Sequence, residues 1–368
     1  MIKQSPLIEL HRANGAQFVE AEGRFLPLHF GDPLREYHLV RSEVGLFDLC
    51  HHSLLSLEGP DRLSFLQGMI SNDVKTLAEG EGTYAAFLDI QGKILADTRI
   101  FCATDSFLVD LWEPLKEKIL THLNRYLIAD DVRISDLTGE FGILSIQGPR
   151  STTLLKTLLS TEDLPLKALD HRLYHVAGAK VRCIRSSTTG EQGCDLLIRL
   201  PELTQLVTQV EAIGKRFSNH WVGLRAQELL RIETGIPRYG VDMDESTLLL
   251  ETGLDRAVSF EKGCYLGQEV VERIRSRGHV NKKLAGMVLE GDSPAGPANP
   301  IRAGNKSIGT VTSSILSPAL KRPVALGYVH RDYLQPGTPV MIDCNGKLTT
   351  AELASLPFYK SSSRLESS

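Results

Sequence analysis

Lys262, Cys264, Gln268 and Glu269 fall within the eight residues KGCYLGQE, which bring a cation, a thiol, an amide and a carboxylate into little more than two helical turns. Gly263 and Gly267 in the same stretch let the backbone come close to other groups. A cysteine two residues after a lysine is placed for a thiolate of lowered pKa, and VVERIR, read as a helix, sets its positive end nearby. Tyr265 is placed to cover the sulfur, and Gln268 or Glu269 to hydrogen-bond beside it or to solvate the helix start. By residue type alone the cysteine fits a buried, inert packing role at least as well.

The elements that must position such residues show one internal repeat. LSLEGPDRLSFL from Leu55 and LSIQGPRSTTLL from Leu144 each read as an alternating strand, a Gly-Pro turn and a helix. This predicts two similar α+β halves packed together. Between the copies, TYAAFLDIQGKILADTRIFCA predicts a hairpin turning at Gln91 and Gly92, and FLVDLW a further strand. WEPLKEKILTHLNRYLI predicts a helix with Leu115, Ile119, Leu120 and Leu123 on one face. KVRCIRSSTTGEQGCDLLIRL and PELTQLVTQVEAIGKRF predict a second such unit. From Leu284 to Tyr359, short β-branched runs between glycines and prolines predict a small all-β barrel or sandwich. The expected division is 1–283 as a tandem α+β body, 284–359 as the β domain and 360–368 as a disordered tail. KGCYLGQE then lies just before the domain junction, where ligand clefts preferentially form.

With 368 residues the chain exceeds what one core usually serves. Its 41 Lys and Arg against 45 acidic residues give a net charge of -4, which argues against a globally basic nucleic-acid binder. No signal-like apolar core and no long apolar run is visible, so the chain reads as cytoplasmic and membrane-free. Cys50, Cys102, Cys183, Cys194, Cys264 and Cys344 show no zinc-ligand spacing and read as free thiols. His51 and His52 point to opposite faces if they lie in a strand, so a turn or cap role is expected, and no permanent metal site.

Several stretches carry a family likeness: GAQFVEAEGRFLPLHF, VRSEVGLFDLCHHS and LEGPDRLSFLQGMISNDV, then VGLRAQELLRIETGIPRYGVDMDE, then IGTVTSS, SPALKRPVALGYV and LPFYK. Over almost its whole length the chain resembles the folate-binding superfamily of the glycine cleavage T protein (aminomethyltransferase). KGCYLGQE resembles the hallmark of the YgfZ branch, whose mitochondrial members serve iron-sulfur cluster assembly. The resemblance implies an α+β fold of two ferredoxin-like halves forming a folate-binding body, plus a C-terminal antiparallel β-barrel.

It also implies a tetrahydrofolate site. Asp195 follows the TTGEQG turn, which holds Glu191, and stands where the superfamily has the acid that accepts both donors of a pterin edge. Asp97 in GKILAD matches the carboxylate implicated in activating the folate nitrogen, and Tyr84 a tyrosine of the folate channel. A strand-edge aspartate, an exposed polar residue and a core aromatic are their bland counterparts. Gln227 replaces an arginine of the transferases, which receive an aminomethyl group from a lipoyl protein; the likeness implies that folate binding is retained and that transfer is lost.

The resulting expectation is a tetrahydrofolate-binding accessory factor for iron-sulfur assembly or repair, with tRNA-modifying enzymes among its clients. Lys262 would favour the thiolate, and Cys264 would ligate a cluster transiently with a client or assembly protein completing the shell, since one cysteine cannot house a cluster. The alternatives are a folate-dependent aminomethyl or other one-carbon transferase and a regulatory or redox module. Arg273, Arg275 and Lys282, with Arg277, His279 and Lys283, read as a solvated face, a site for the folate polyglutamate tail, or an RNA contact, with nucleic acid unexpected as the primary partner.

Overall fold

The structure, a computed structural model, describes residues 2–21, 23–344 and 346–361, and of Arg277 the backbone alone. Of the expected tail, residues 362–368 lie outside the described ones. The chain opens with β1 (Lys3–Gln4), α1 (Ile8–Ala13), β2 (Gln17–Ala21) and β3 (Arg24–His29), whose strands form a small sheet of order β1-β3-β2. Asp32 then caps α2 (Pro33–Ser42) by accepting from the Leu34 N–H at 2.9 Å, and Pro33 supplies a preset first turn. The strand β4 (Val44–Asp48) follows.

The repeat read in the sequence is structural. The first unit runs β5 (His52–Glu58), α3 (Arg62–Met69), β6 (Gly82–Leu88), β7 (Ile94–Cys102), β8 (Ser106–Trp112), α4 (Lys116–Tyr126) and β9 (Arg133–Asp136). The second repeats that order as β10 (Phe141–Gln147), α5 (Ser151–Leu159), β11 (His171–Val176), β12 (Ala179–Arg185), β13 (Gly193–Arg199), α6 (Leu200–Gly214) and β14 (Asn219–Trp221). Their sheets are ordered β6-β7-β8-β5-β9 and β11-β12-β13-β10-β4-β14, so β4 is inserted into the second. Both Gly-Pro turns demand glycine: Gly59 (φ +107°) and Gly148 (φ +128°) lie so near the carbonyls of Asp131 and Glu43 that any Cβ would collide with them.

Each half buries one sheet face under helices. Leu66 of α3 and Ile119 and Leu123 of α4 pack on Leu55, Ala96, Ile100 and Val109 of the first sheet. Leu154 and Leu155 of α5 and Leu203 and Val207 of α6 cover Leu144, Val181 and Leu196 of the second. The two remaining faces meet each other through Leu54, Phe101 and Leu108 against Ile143, Ile184 and Leu197, with Val40 of α2 and, from α7 (Leu224–Thr234), Ala226 and Leu230 joining the cluster. A long connection leads through α8 (Gln268–Arg277) to the last domain.

That domain is a closed antiparallel barrel of order β15-β18-β17-β16-β19-β20, made of β15 (Lys282–Leu289), β16 (Pro300–Ala303), β17 (Lys306–Ser317), β18 (Arg322–His330), β19 (Pro339–Cys344) and β20 (Lys347–Ala354). Of the two expectations for the all-β segment, the barrel is the one realised. It is fastened to the body by buried charge. Asp242 accepts from Arg231 of α7 at 2.6 Å and from Thr312 and Ser313 of β17 at 2.5 and 2.7 Å. Among the described residues no helix is long and apolar enough to cross a membrane.

Candidate active site

Strand alternation sorts β7 into two faces. Ala96 and Ile100 enter the helix-covered core, whereas Asp97 and Arg99 project toward the second half. Register completes the group: Tyr84 on β6 lies opposite Arg99, and Asp110 on β8 lies opposite it on the other side. The Tyr84 hydroxyl donates to Asp97 Oδ2 at 2.7 Å, and the Arg256 guanidinium lies 5.0 Å from the Tyr84 ring centroid. Burial raises the Asp97 pKa above the ordinary carboxylate value, only partly offset by the tyrosine hydrogen bond. The Tyr84 hydroxyl is itself pushed well up by burial and by the Asp97 charge, so the shared proton stays on the phenol. The pair is a carboxylate whose proton affinity has been moved toward the range useful for acid-base chemistry.

Arg99 joins the two sheets. Its Nε donates to Asp110 Oδ2 at 2.5 Å, while Nη1 donates to Asp195 Oδ2 and to Ser186 Oγ, the latter at 3.1 Å. His52 Nδ1 meets the other Asp110 oxygen at 2.8 Å. Burial acts to raise Asp110, yet Arg99 and His52 outweigh it and hold its pKa at about 2. Burial acts to lower Arg99, yet its two carboxylates raise it above its ordinary value, so the cation is permanent. Asp195 is 0% exposed, and its Oδ1 is buried with no hydrogen-bond partner among the described residues. A buried acceptor left open in this way costs stability unless something donates to it.

The KGCYLGQE segment does different work. Lys262 is buried, and its ammonium donates to the carbonyls of Gln67, Ile70 and Asn72 at 2.8, 2.7 and 2.7 Å, closing the C-terminal end of α3 and the turn after it. The cation expected to favour a thiolate is thereby committed to main-chain oxygens. It also lies 4.9 Å from the ring centroid of Tyr265, a ring that enters the helix-covered core of the first half instead of covering the sulfur. The Leu266 N–H bonds the Gly68 carbonyl at 3.0 Å, and Gln268 accepts from the Tyr265 N–H at 3.3 Å. Gly267 (φ +84°) begins α8 in a left-handed conformation, with the Asp89 carbonyl oxygen 2.6 Å from where a Cβ would stand. Gly263, Cys264 and Glu269 are exposed.

Tyr84 and Asp97 are thus brought together, and Asp195 is linked to their face through Arg99. Glu191 is drawn elsewhere, to Arg41 at 2.9 Å and to the Ser361 hydroxyl at 2.6 Å. Gln227, on α7, is half-buried and lines a small cavity with His51 and Asp48. The basic run does not converge on one point. Arg275 donates to the Phe260 carbonyl at 3.0 Å and lies 4.7 Å from that ring centroid, Lys282 lies 3.9 Å from Glu251 and 4.9 Å from the Tyr328 ring centroid, and Arg273 is exposed. Arg99, Asp110 and His52 were not singled out from the sequence as site residues. A signal for Arg99 existed, because Asp97 and Arg99 two apart in an apolar strand must share a face. None of the six cysteines is in a disulfide, and no His, Cys, Asp or Glu group among the described residues is arranged to hold a metal.

Residues 7–262 match the GCVT N-terminal domain and residues 282–360 the glycine cleavage T-protein C-terminal barrel domain. An aminomethyltransferase of Rubrobacter xylanophilus is 34% identical over 98% of this chain and 95% of its own length. One from Halothermothrix orenii is 30% identical over 97% of this chain and 100% of its own. The crystal structure of the glycine cleavage system aminomethyltransferase T from Bartonella henselae superposes with a TM-score of 0.90 at 25% identity, covering 98% of this chain and 99% of that one. These full-length likenesses overturn the assignment to the YgfZ branch made from KGCYLGQE, and with it iron-sulfur assembly, iron-sulfur clients and tRNA modification as this chain's business. The physical reason for the misreading is that Lys262, Tyr265, Gly267 and Gln268 have packing and main-chain duties that account for them without any chemistry at the thiol. The chain belongs to the glycine cleavage T-protein (aminomethyltransferase) family.

Proposed function

We propose that this chain is a folate-dependent aminomethyltransferase, with Asp97 as the group that moves a proton. The observation that carries the proposal is the Asp97–Tyr84 pair, a half-buried carboxylate of raised pKa steadied by a phenol at 2.7 Å on the face between the two halves. A folate fits the donor set beside it: the open Oδ1 of Asp195 is a buried acceptor suited to an N–H of a pterin. Tetrahydrofolate, when bound, supplies the ring nitrogen that accepts the one-carbon unit. Asp195 would hold its pterin and Asp97 would take or return a proton, while Tyr84, with Arg256 over its ring, orients the carboxylate. The neutral Gln227, in place of an arginine, means that any substrate charge must be met by other residues.

The test is turnover with tetrahydrofolate and an aminomethylated lipoyl carrier protein, reading ammonia and methylenetetrahydrofolate. Asp97→Asn is expected to lower kcat by about 10²–10⁴-fold with folate affinity retained. An unchanged kcat in that variant rejects the assignment of Asp97, and no product from the wild type rejects the transferase reading.

A further inference from the structure

The proton chemistry assigned to Asp97 leaves Arg99 unexplained, although it is the most heavily bonded side chain on that face. Its side chain is 13% exposed and divides its donors between two carboxylates of 1% and 0% exposure, Asp110 and Asp195. Asp110 has a second partner in His52 at 2.8 Å, whereas Asp195 has one filled oxygen and one open one. A guanidinium presents two donors along an N–C–N edge. The 2-amino-4-oxopyrimidine edge of a pterin presents the same pattern, a ring N–H and an amino N–H on one carbon. Arg99 and the ligand therefore compete for the same carboxylate.

We propose that Arg99 is a specificity-determining residue that retains Oδ2 of Asp195 and offers an incoming pterin the single acceptor Oδ1. The inference rests on the folate reading and sharpens it. With one oxygen withheld, only one of the two pterin donors is read by Asp195, so the exocyclic amino group adds little to affinity. His52 keeps Asp110 paired when Arg99 is replaced, so the loss of Arg99 frees Asp195 in particular.

The test is calorimetry with 5-formyltetrahydrofolate and with its analogue lacking the 2-amino group. In the wild type the two ligands are expected to differ by less than about threefold, because a hydrogen bond that is never formed contributes nothing. In Arg99→Gln, whose amide still reaches toward Asp110, the parent ligand is expected to bind about tenfold more tightly and the analogue to be unchanged, the gain of one charge-assisted hydrogen bond. Adding Asp195→Asn to Arg99→Gln should erase the gain. A wild-type difference of tenfold or more overturns the inference without recourse to any variant. So does weaker binding of the parent by a folded Arg99→Gln protein, which makes Arg99 a ligand contact and leaves the folate reading standing. Absence of binding in every protein, wild type included, overturns both.

Discussion

Replacing Lys262 by methionine separates the two duties that KGCYLGQE can have. The ammonium donates three hydrogen bonds at 2.7–2.8 Å to carbonyls that close the end of α3, in a residue 7% exposed. Methionine keeps the length and apolar stem and leaves those carbonyls without their donor. Each charge-assisted bond contributes about 1.5–3 kcal/mol, but relief from the desolvation of a buried ammonium returns several kcal/mol, so a net loss of about 2–4 kcal/mol is expected. For a unit of this size that corresponds to a fall of about 5–12 °C in thermal midpoint. Cys264→Ala, at an exposed position, should stay within about 0.5 kcal/mol. Scanning calorimetry of both variants, with urea melts to check that the slope is preserved, decides the matter. A Lys262→Met midpoint within 1 °C of wild type, or a Cys264→Ala loss as large as that of Lys262→Met, would refute the view that this segment is a fastening. A loss of turnover in Cys264→Ala without loss of stability would do so as well.

Gly267→Ala must adopt φ near +84° and place its Cβ 2.6 Å from the Asp89 carbonyl oxygen, so urea denaturation should show a loss of about 2–4 kcal/mol. Asp110 has a folded pKa of about 2 against an ordinary 3.8, so its contribution is complete above about pH 4 and is lost as pH falls through 2. Wild type should lose about 1 kcal/mol more than Asp110→Asn between pH 5 and pH 3 in urea melts, and parallel curves would contradict the Arg99–Asp110 assignment. Because burial raises the Asp97 pKa, kcat/KM should fall on acidification at a pH above the ordinary carboxylate range, and Asp97→Asn should lack that limb. Asp242→Ala should loosen the barrel from the body and expose the 236–247 segment to limited proteolysis first, since Arg231, Thr312 and Ser313 all lose their shared acceptor.

Much of the fold was legible because its signals are local. The twin Gly-Pro turns, the Gln91-Gly92 hairpin and the one-sided leucines of α4 each depend on neighbours within a dozen residues, and each forms as read. Of the candidate site, Tyr84 and Asp97 were named through the family likeness, and the hairpin between β6 and β7 sets them side by side. Arg99 and Asp195 lie 96 positions apart and meet only because two sheets stack face to face, which no periodicity in either strand specifies. KGCYLGQE failed in the opposite sense. Its likeness to a motif pointed to the thiol, but whether Lys262 faces a thiol or the end of α3 depends on where residues 67–72 lie, nearly two hundred positions earlier. Main-chain carbonyls carry no side-chain signature, so their demand for a buried cation cannot be seen in a sequence.

The insertion of β4 into the second sheet has a consequence for how the protein is made. Residues 44–48 leave the ribosome long before their two neighbours, residues 141–147 and 219–221, exist. The unit from β5 to β9 holds all five strands of its own sheet, although its helix-covered core is completed only by Tyr239, Leu249, Tyr265 and Val271, whereas β4 must wait as an unpaired apolar strand, VGLF with every residue buried in the finished fold. Emerging chains are therefore exposed to strand-edge mispairing over that interval, and a fragment beginning at β10 would lack an interior strand of its sheet. The two halves repeat one order of elements, yet each needs chain from outside itself: the second sheet needs β4, and the core of the first needs Tyr239, Leu249 and Tyr265.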